Sequence, residues 1–425
     1  MSALRRIDVF ADWVGLDGAR RVGELSAAPA RGKEVFAFEY DDAWLAAQRF
    51  TLDPALQLYR GPQYPPTGRA QFGMFLDSAP DRWGRLLMRR REALRARDEG
   101  RDERPLLESD YLLGVHDSHR IGGLRYRVGD RFLDDDDRLA SPPWTSLCEL
   151  QHASLQLERD DVEQDAEYAR WLRLLVSPGG SLGGARPKAS VRDERDRLWI
   201  AKFPSRADRE DVGAWEMVVR ELAGAAGVAV PAARLERFTG RGAGASGYHT
   251  YLSRRFDRPD AGGRRHFVSA MTMTDRSDGT EGHDGASYLD LAEVLLQHGA
   301  KVADDLEQLW RRIVFYVCVS NTDDHLRNHG FLLEAAGFVL APAYDINPNP
   351  DGDGLTLNVS ENGNAQDLDL VLGVAPWFRL SAGRAREVAA EVVAAVRTWR
   401  RVAGEHGISK ASQQRMARAF RIADA

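Results

Sequence analysis

At 425 residues the chain exceeds one ordinary domain and has length for two or three, each with a sizeable core. Apolar residues at 43% and charged residues at 29% are those of a globular protein and exclude a disordered or fibrous chain. A formal net charge of −6 argues against a free-standing nucleic-acid binder, while leaving room for a local basic face.

The N-terminus runs directly into strand-like alternation, without an apolar signal core. No run is long enough to span a bilayer, so a soluble, cytoplasmic protein without membrane contact is expected. Cys148 and Cys318 lie far apart, lack metal-ligand spacing and read as reduced structural thiols.

Residues 7–14 and 35–40 read as strands separated by Gly-containing turns. A helix follows, with Ser78 as N-cap, Pro80 near its first turn, and Trp83, Leu86, Leu87, Ala93 and Leu94 as its apolar face. Its other side carries Arg82, Arg85, Arg89, Arg90, Arg91, Arg95 and Arg97. A solvated charged face is the plainer reading and a phosphate-contacting surface the sharper one. Residues 95–104 are almost wholly charged and read as an exposed connection, and Asp134 to Asp137 as an exposed turn.

Segment 145–176 reads as helices, and a glycine-rich stretch opens at Ser177. A strand pair is expected around Val191 and over 199–203, then a helix over 211–226. Residues 240–247 read as a flexible hairpin connection. Two long helices are expected over 287–297 and 304–319, a hairpin over 331–340, and a helical tail rich in Ala and Arg over 382–425. No internal period points to a repeat architecture.

The densest chemistry sits in residues 320–330, behind the apolar run 313–319. Asp323 and Asn328 there have the D-x4-N spacing of a kinase catalytic loop, in which the acid orients a hydroxyl and the amide holds a metal. That offset alone is common in polar loops, so the rest of the constellation decides. Glycines between Ser177 and Lys188 could bring backbone amides close to phosphate oxygens, although the stretch matches no standard phosphate-loop pattern and reads equally as a plain flexible loop. Lys202, between Ala201 and Phe203 on a strand, suits either a cleft or an edge position. On the next helix Val212, Trp215, Val219, Leu222 and Ala226 define the buried stripe. Glu216 lies at its border, placed to pair with Lys202, whereas Glu221 faces solvent. Asp345 ends an apolar strand one hairpin after Asn328, where a second metal ligand belongs. Glycine loop, strand lysine, helix glutamate, D-x4-N, hairpin and acid occur together in that order, and a triphosphate needs backbone donors, a lysine charge and magnesium held by oxygen ligands.

With these residues the chain resembles the HipA family of bacterial toxin–antitoxin serine/threonine kinases over most of its length. Residues 181–188 are similar to the family's S-x-x-G-A-Q-x-K loop, and Arg255-Phe256-Asp257-Arg258 to its R-F-D-R. Segment 321–328 is similar to its T-D-x-H-x-x-N loop, Tyr344-Asp345-Ile346 to its metal segment, and 9–15 and 34–45 to its β-rich N-terminal subdomain. The resemblance implies a two-lobed, kinase-like α+β fold. Residues 1–145 would form the N-terminal subdomain, 146–260 the nucleotide-binding part and 261–425 a helical lobe.

It further implies transfer of the ATP γ-phosphoryl group to a protein serine or threonine. Asp323 would be the catalytic acid, with Asn328 and Asp345 on magnesium. ATP would meet Ser181, Leu182, Gly183, Gly184, Ala185, Lys202, Arg254, Arg255, Phe256 and His325, with Glu216 pairing the lysine. Ser181 matches the family's autophosphorylation site, where added charge would expel the loop. The implied partner is a helix-turn-helix antitoxin, with DNA reached only through it, and the implied protein substrate is an aminoacyl-tRNA synthetase. Arg186-Pro187 departs from the family's loop, and the proline removes one amide donor there. The alternative reading is a catalytically weak, kinase-like binding subunit of an antitoxin–operator repressor complex. Asp324 and Arg327 read as structural or solvated.

Overall fold

The computed structural model describes residues 4–47, 51–133, 142–176, 184, 186–238 and 247–425. The chain divides into two compact units, both mixing helix and sheet in keeping with the α+β expectation. One comprises Met1–Arg206, Phe238–Ser246 and Asp257–Val268; the other comprises Ala207–Arg237, Gly247–Phe256 and Ser269–Ala425.

The first unit is built on a five-stranded antiparallel sheet in the spatial order Lys33–Tyr40, Arg20–Ala30, Arg5–Ala11, Leu124–Val128, Arg131–Phe132. Strand alternation buries Ile7, Val9, Leu25, Phe36, Phe38 and Tyr126 with Phe72 and Phe75. The long second strand was not expected, because its run of small residues and a proline lacks the β-branched and aromatic enrichment of a strand.

The arginine-rich helix is Arg82–Asp98, and its N-cap is Asp81 rather than Ser78. Ser78 instead closes the short helix Gly73–Asp77, its hydroxyl donating to the Met74 carbonyl. The arginine face is neither simply solvated nor shown to meet phosphate. Arg85 forms a fork with Glu108 at 2.8 and 2.7 Å, and Arg90 donates to the Leu157 carbonyl. The charged stretch 95–104 is also more ordered than expected: Arg101 and Arg104 converge on the buried Glu92. Helices Leu147–Leu157 and Tyr168–Val176 follow, then the hairpin Lys188–Arg192 with Leu198–Lys202. Asp193 sets its turn by accepting from the amides of Arg195 and Arg197 and from Trp199 Nε1.

In the second unit, helix Val212–Ala225 is capped by Asp211; of the expected stripe Trp215, Val219, Leu222 and Ala226 are buried and Val212 half-buried, and burial extends over all of residues 213–219. The hairpin Ala233–Glu236 with Thr250–Arg254 follows. Helix Val302–Val319 forms the centre of this unit and packs against Tyr288–His298 and Ala382–Val396. Residues 313–319, its last two turns, are apolar all round, as a helix end enclosed by neighbours must be. The hairpin Gly330–Glu334 with Gly337–Leu340 lies where the sequence pattern put it. Trp399 and Phe420 stack at 4.4 Å, with Trp215 beside both. Among the described residues no helix is long and apolar enough to cross a membrane.

Candidate functional site

The central helix ends at Ser320, whose left-handed backbone (φ 49°) turns the chain sharply out of the core. Few non-glycine residues adopt that conformation, and here surrounding bonds impose it. The buried Ser320 hydroxyl lies 2.9 Å from Gln366 Oε1 and from the Ala419 carbonyl, and its own carbonyl accepts from the Asn349 amide. Asn321 is buried as well and accepts from the Asn347 amide at 3.0 Å. The polar density of 320–330 is therefore partly a scaffold.

Adjacent acids then take opposite fates. Asp324 is fully buried; Oδ2 accepts from Tyr288 Oη at 2.6 Å and Oδ1 from the Thr356 amide at 2.6 Å. Burial pushes its carboxyl up to about 6, against the pull of those hydrogen bonds. Asp323 has 68% of its side chain exposed, with His325 Nε2 at 3.7 Å from Oδ1. Asn328 is buried, and its Nδ2 donates to the Asp323 backbone carbonyl at 2.7 Å. This closes the loop and leaves the amide oxygen for another partner.

Asp345 also has a left-handed backbone (φ 55°), and Asn347 Nδ2 donates to its Oδ1 at 3.3 Å. Asn347 thereby joins Asn321 at the root of the loop to Asp345. The preceding Tyr344 donates its hydroxyl to the Arg327 carbonyl at 2.8 Å and packs its ring 5.5 Å from Phe256. Asp323, His325, Asn328, Asp345 and Phe256 thus belong to one connected assembly. Arg254 ends its strand with its amide on the Ala232 carbonyl, and Arg255 is buried. Glu216 is buried on helix Val212–Ala225, inward as its border position suggested. Glu221 is half-buried, with His406 Nε2 3.1 Å away, rather than simply solvated.

In the first unit Lys202 is buried at the end of its strand, directly opposite Lys188. Of the glycine segment, Gly184 is described, with φ +81°; Ser181, Leu182, Gly183 and Ala185 lie outside the described residues. Asp257 and Arg258 of the R-F-D-R motif anchor backbone: Asp257 Oδ2 accepts from the Gly122 amide at 2.9 Å, and Arg258 Nη2 donates to the Arg120 carbonyl at 2.6 Å.

Sequence reasoning did not single out Tyr288, Asn321, Asn347 or Thr356, which position the loop. Nor did it single out Asp81, or give a role to Lys188, the lysine that ends the 181–188 motif; the two are joined at 3.0 Å between Oδ2 and Nζ. Only the D-x4-N density itself signalled that such support was needed. Among the described residues no group of three or more His, Cys, Asp or Glu forms a ready-made metal cage.

Two family models match, the HipA N-terminal domain over residues 14–107 and the HipA-like C-terminal domain over residues 180–400, more than half of the chain. Among solved structures the chain is similar to HipA of Shewanella oneidensis MR-1, in its complex with HipB and operator DNA. The identity is 17% and the TM-score 0.63, covering 97% of this chain and 95% of that one. The Helicobacter pylori proinflammatory kinase CtkA matches with 13% identity and a TM-score of 0.35, over 56% of this chain and 94% of that one. No curated protein matches. The fold is that of the Shewanella structure, and with both domain models matched in order the chain belongs to the HipA family.

Proposed function

We propose that the chain is an ATP-dependent protein serine/threonine kinase and the toxin component of a HipA-like toxin–antitoxin module. The observation that carries this reading is the split between Asp323 and Asp324. The buried acid is consumed by Tyr288 and Thr356, while the exposed one stands on a loop closed by Asn328. The outward acid is the one that an acceptor hydroxyl arriving from solution can reach.

Asn328 and Asp345 fit magnesium by donor chemistry. Both offer hard oxygens, and Asn328 has committed its NH2 to the Asp323 carbonyl, so its oxygen is the atom left for a cation. Two protein ligands suffice for an ion that takes its other ligands from phosphates and water. Bound there, magnesium would neutralise charge on the transferring phosphoryl group. Asp323 orients the acceptor hydroxyl and receives its proton. Lys202, paired with Glu216, holds the ATP phosphates, with His325 beside them. The glycine segment supplies amide donors, and the backbone of 254–256 meets adenine. Catalysis then rests on positioning and charge stabilisation.

The Shewanella protein was solved with HipB and operator DNA, which supports proposing an antitoxin partner through which DNA is reached. A protein substrate, an aminoacyl-tRNA synthetase by family resemblance, completes the proposal. The test is incubation of the full chain with Mg-ATP, followed by intact mass and phosphosite mapping. A phosphate on Ser181, absent in Asp323→Ala, is the expected result. ATP binding without any phosphate incorporation, on the chain or on added protein, would favour the kinase-like binding subunit instead.

A further inference from the structure

We infer that Asp81, outside the motifs that suggest a kinase, is a positioning residue for the nucleotide loop and acts through Lys188. The inference rests on the reading above that the glycine segment and Lys202 receive ATP phosphates.

Asp81 has two bonded oxygens. Oδ1 accepts from the Gly84 amide at 2.7 Å and caps the 17-residue helix Arg82–Asp98; Oδ2 meets Lys188 Nζ at 3.0 Å. Both side chains are 2% exposed. Lys188 Nζ also donates to the Gly184 carbonyl at 3.1 Å, and the Lys188 carbonyl accepts from Trp83 Nε1 at 3.1 Å. One carboxylate therefore ties together the start of a helix, the first residue of a strand and the end of the glycine segment.

The strand register explains why a counter-charge is needed. Lys188 and Lys202 are cross-strand partners in an antiparallel hairpin, so their side chains leave the same face. Like charges directly opposite one another are unfavourable, and both lysines are buried. Asp81 takes up the charge of Lys188 and turns that ammonium toward Gly184. The two lysines thus divide the work: Lys188 fixes the root of the loop, and Lys202 meets phosphate. The helix N-terminus behind Asp81 suits a carboxylate there, supplying an amide donor and a favourable dipole.

Asp81→Asn tests this in the full-length chain, because asparagine caps a helix as well as aspartate but carries no charge. Equilibrium titrations use a non-hydrolysable ATP analogue with magnesium and, separately, adenosine, which lacks the phosphates. Asp81→Asn should bind the ATP analogue about tenfold more weakly, the worth of one charge-assisted hydrogen bond, and adenosine as the wild type does. Lys188→Met should show the same split, and the double variant no further loss. If Asp81→Asn does not fold, Asp81→Glu, which keeps the charge but displaces it, should show the split to a smaller degree. Equal weakening of both ligands would make the pair merely structural and overturn the inference, as would unchanged affinity for both. A wild-type chain that binds no ATP analogue would instead overturn the kinase reading, and this inference with it.

Discussion

Asn328 Nδ2 donates to the backbone carbonyl of Asp323 over 2.7 Å, so the first and last residues of the D-x4-N segment hold each other in place. The bond closes the loop, and the amide oxygen it leaves is the one proposed to hold magnesium. Asn328→Ala removes both. Phosphate incorporation should fall about a hundredfold or more, the usual cost of losing a preorganised electrostatic contact. Initial rates across a magnesium titration check this: extra magnesium should not restore the variant.

Glu216 and Lys202 are each buried, and the pairing proposed for them makes their losses overlap. Glu216→Gln and Lys202→Met should each lower kcat/KM by about ten- to a hundredfold, the worth of a charge-assisted contact. The double variant should be little worse than the worse single one. Multiplying losses would show that the two residues act separately.

Acid sensitivity should arise in part from His266. It is buried, stacks on Trp13 at 4.8 Å, and is pushed down to about 4 by burial. Its folded value lies below the ordinary 6.5, so between the two the unfolded chain binds more protons and stability rises with pH. Stability from this group is therefore complete above about 6.5 and lost as pH falls toward 4, by at most about 1.4 kcal/mol per pH unit. His266→Phe keeps an aromatic ring against Trp13 and should flatten that slope in urea melts at pH 7, 6 and 5.

Trp399 has no exposed surface and packs on Phe420 and Trp215, the latter on the same helix as Glu216. Trp399→Ala should destabilise the second unit by about 3–5 kcal/mol, the range for emptying a large aromatic site. A lowered denaturation midpoint for the Trp399→Ala chain checks this.

The sequence made the chemistry more legible than its support. Asp323, Asn328 and Asp345 could be proposed because the D-x4-N offset is local and the hairpin after it, two apolar runs about a small-residue turn, is recognisable. Glu216 could be placed because a helical stripe fixes which side is inward, and its burial agrees. Asp81 and Lys188 could not, since they are 107 residues apart and only tertiary packing reveals the pair. Asp324 and Asp323 are likewise indistinguishable by composition. Their difference comes from Tyr288 and Thr356, which helix Tyr288–His298 and the segment beyond the hairpin bring to one acid and not the other. Ser78 misled as a cap because Asp81, three residues on, offers the stronger acceptor at the true first turn.

The most direct measurement compares wild type, Asp323→Asn and Asp324→Asn for binding of an ATP analogue and for phosphate incorporation from Mg-ATP. Asp323→Asn should bind the nucleotide and melt like the wild type yet incorporate no phosphate, whereas Asp324→Asn should lose thermal stability. Phosphate incorporation that continues unchanged in a folded Asp323→Asn chain would contradict the assignment of Asp323 as the catalytic acid.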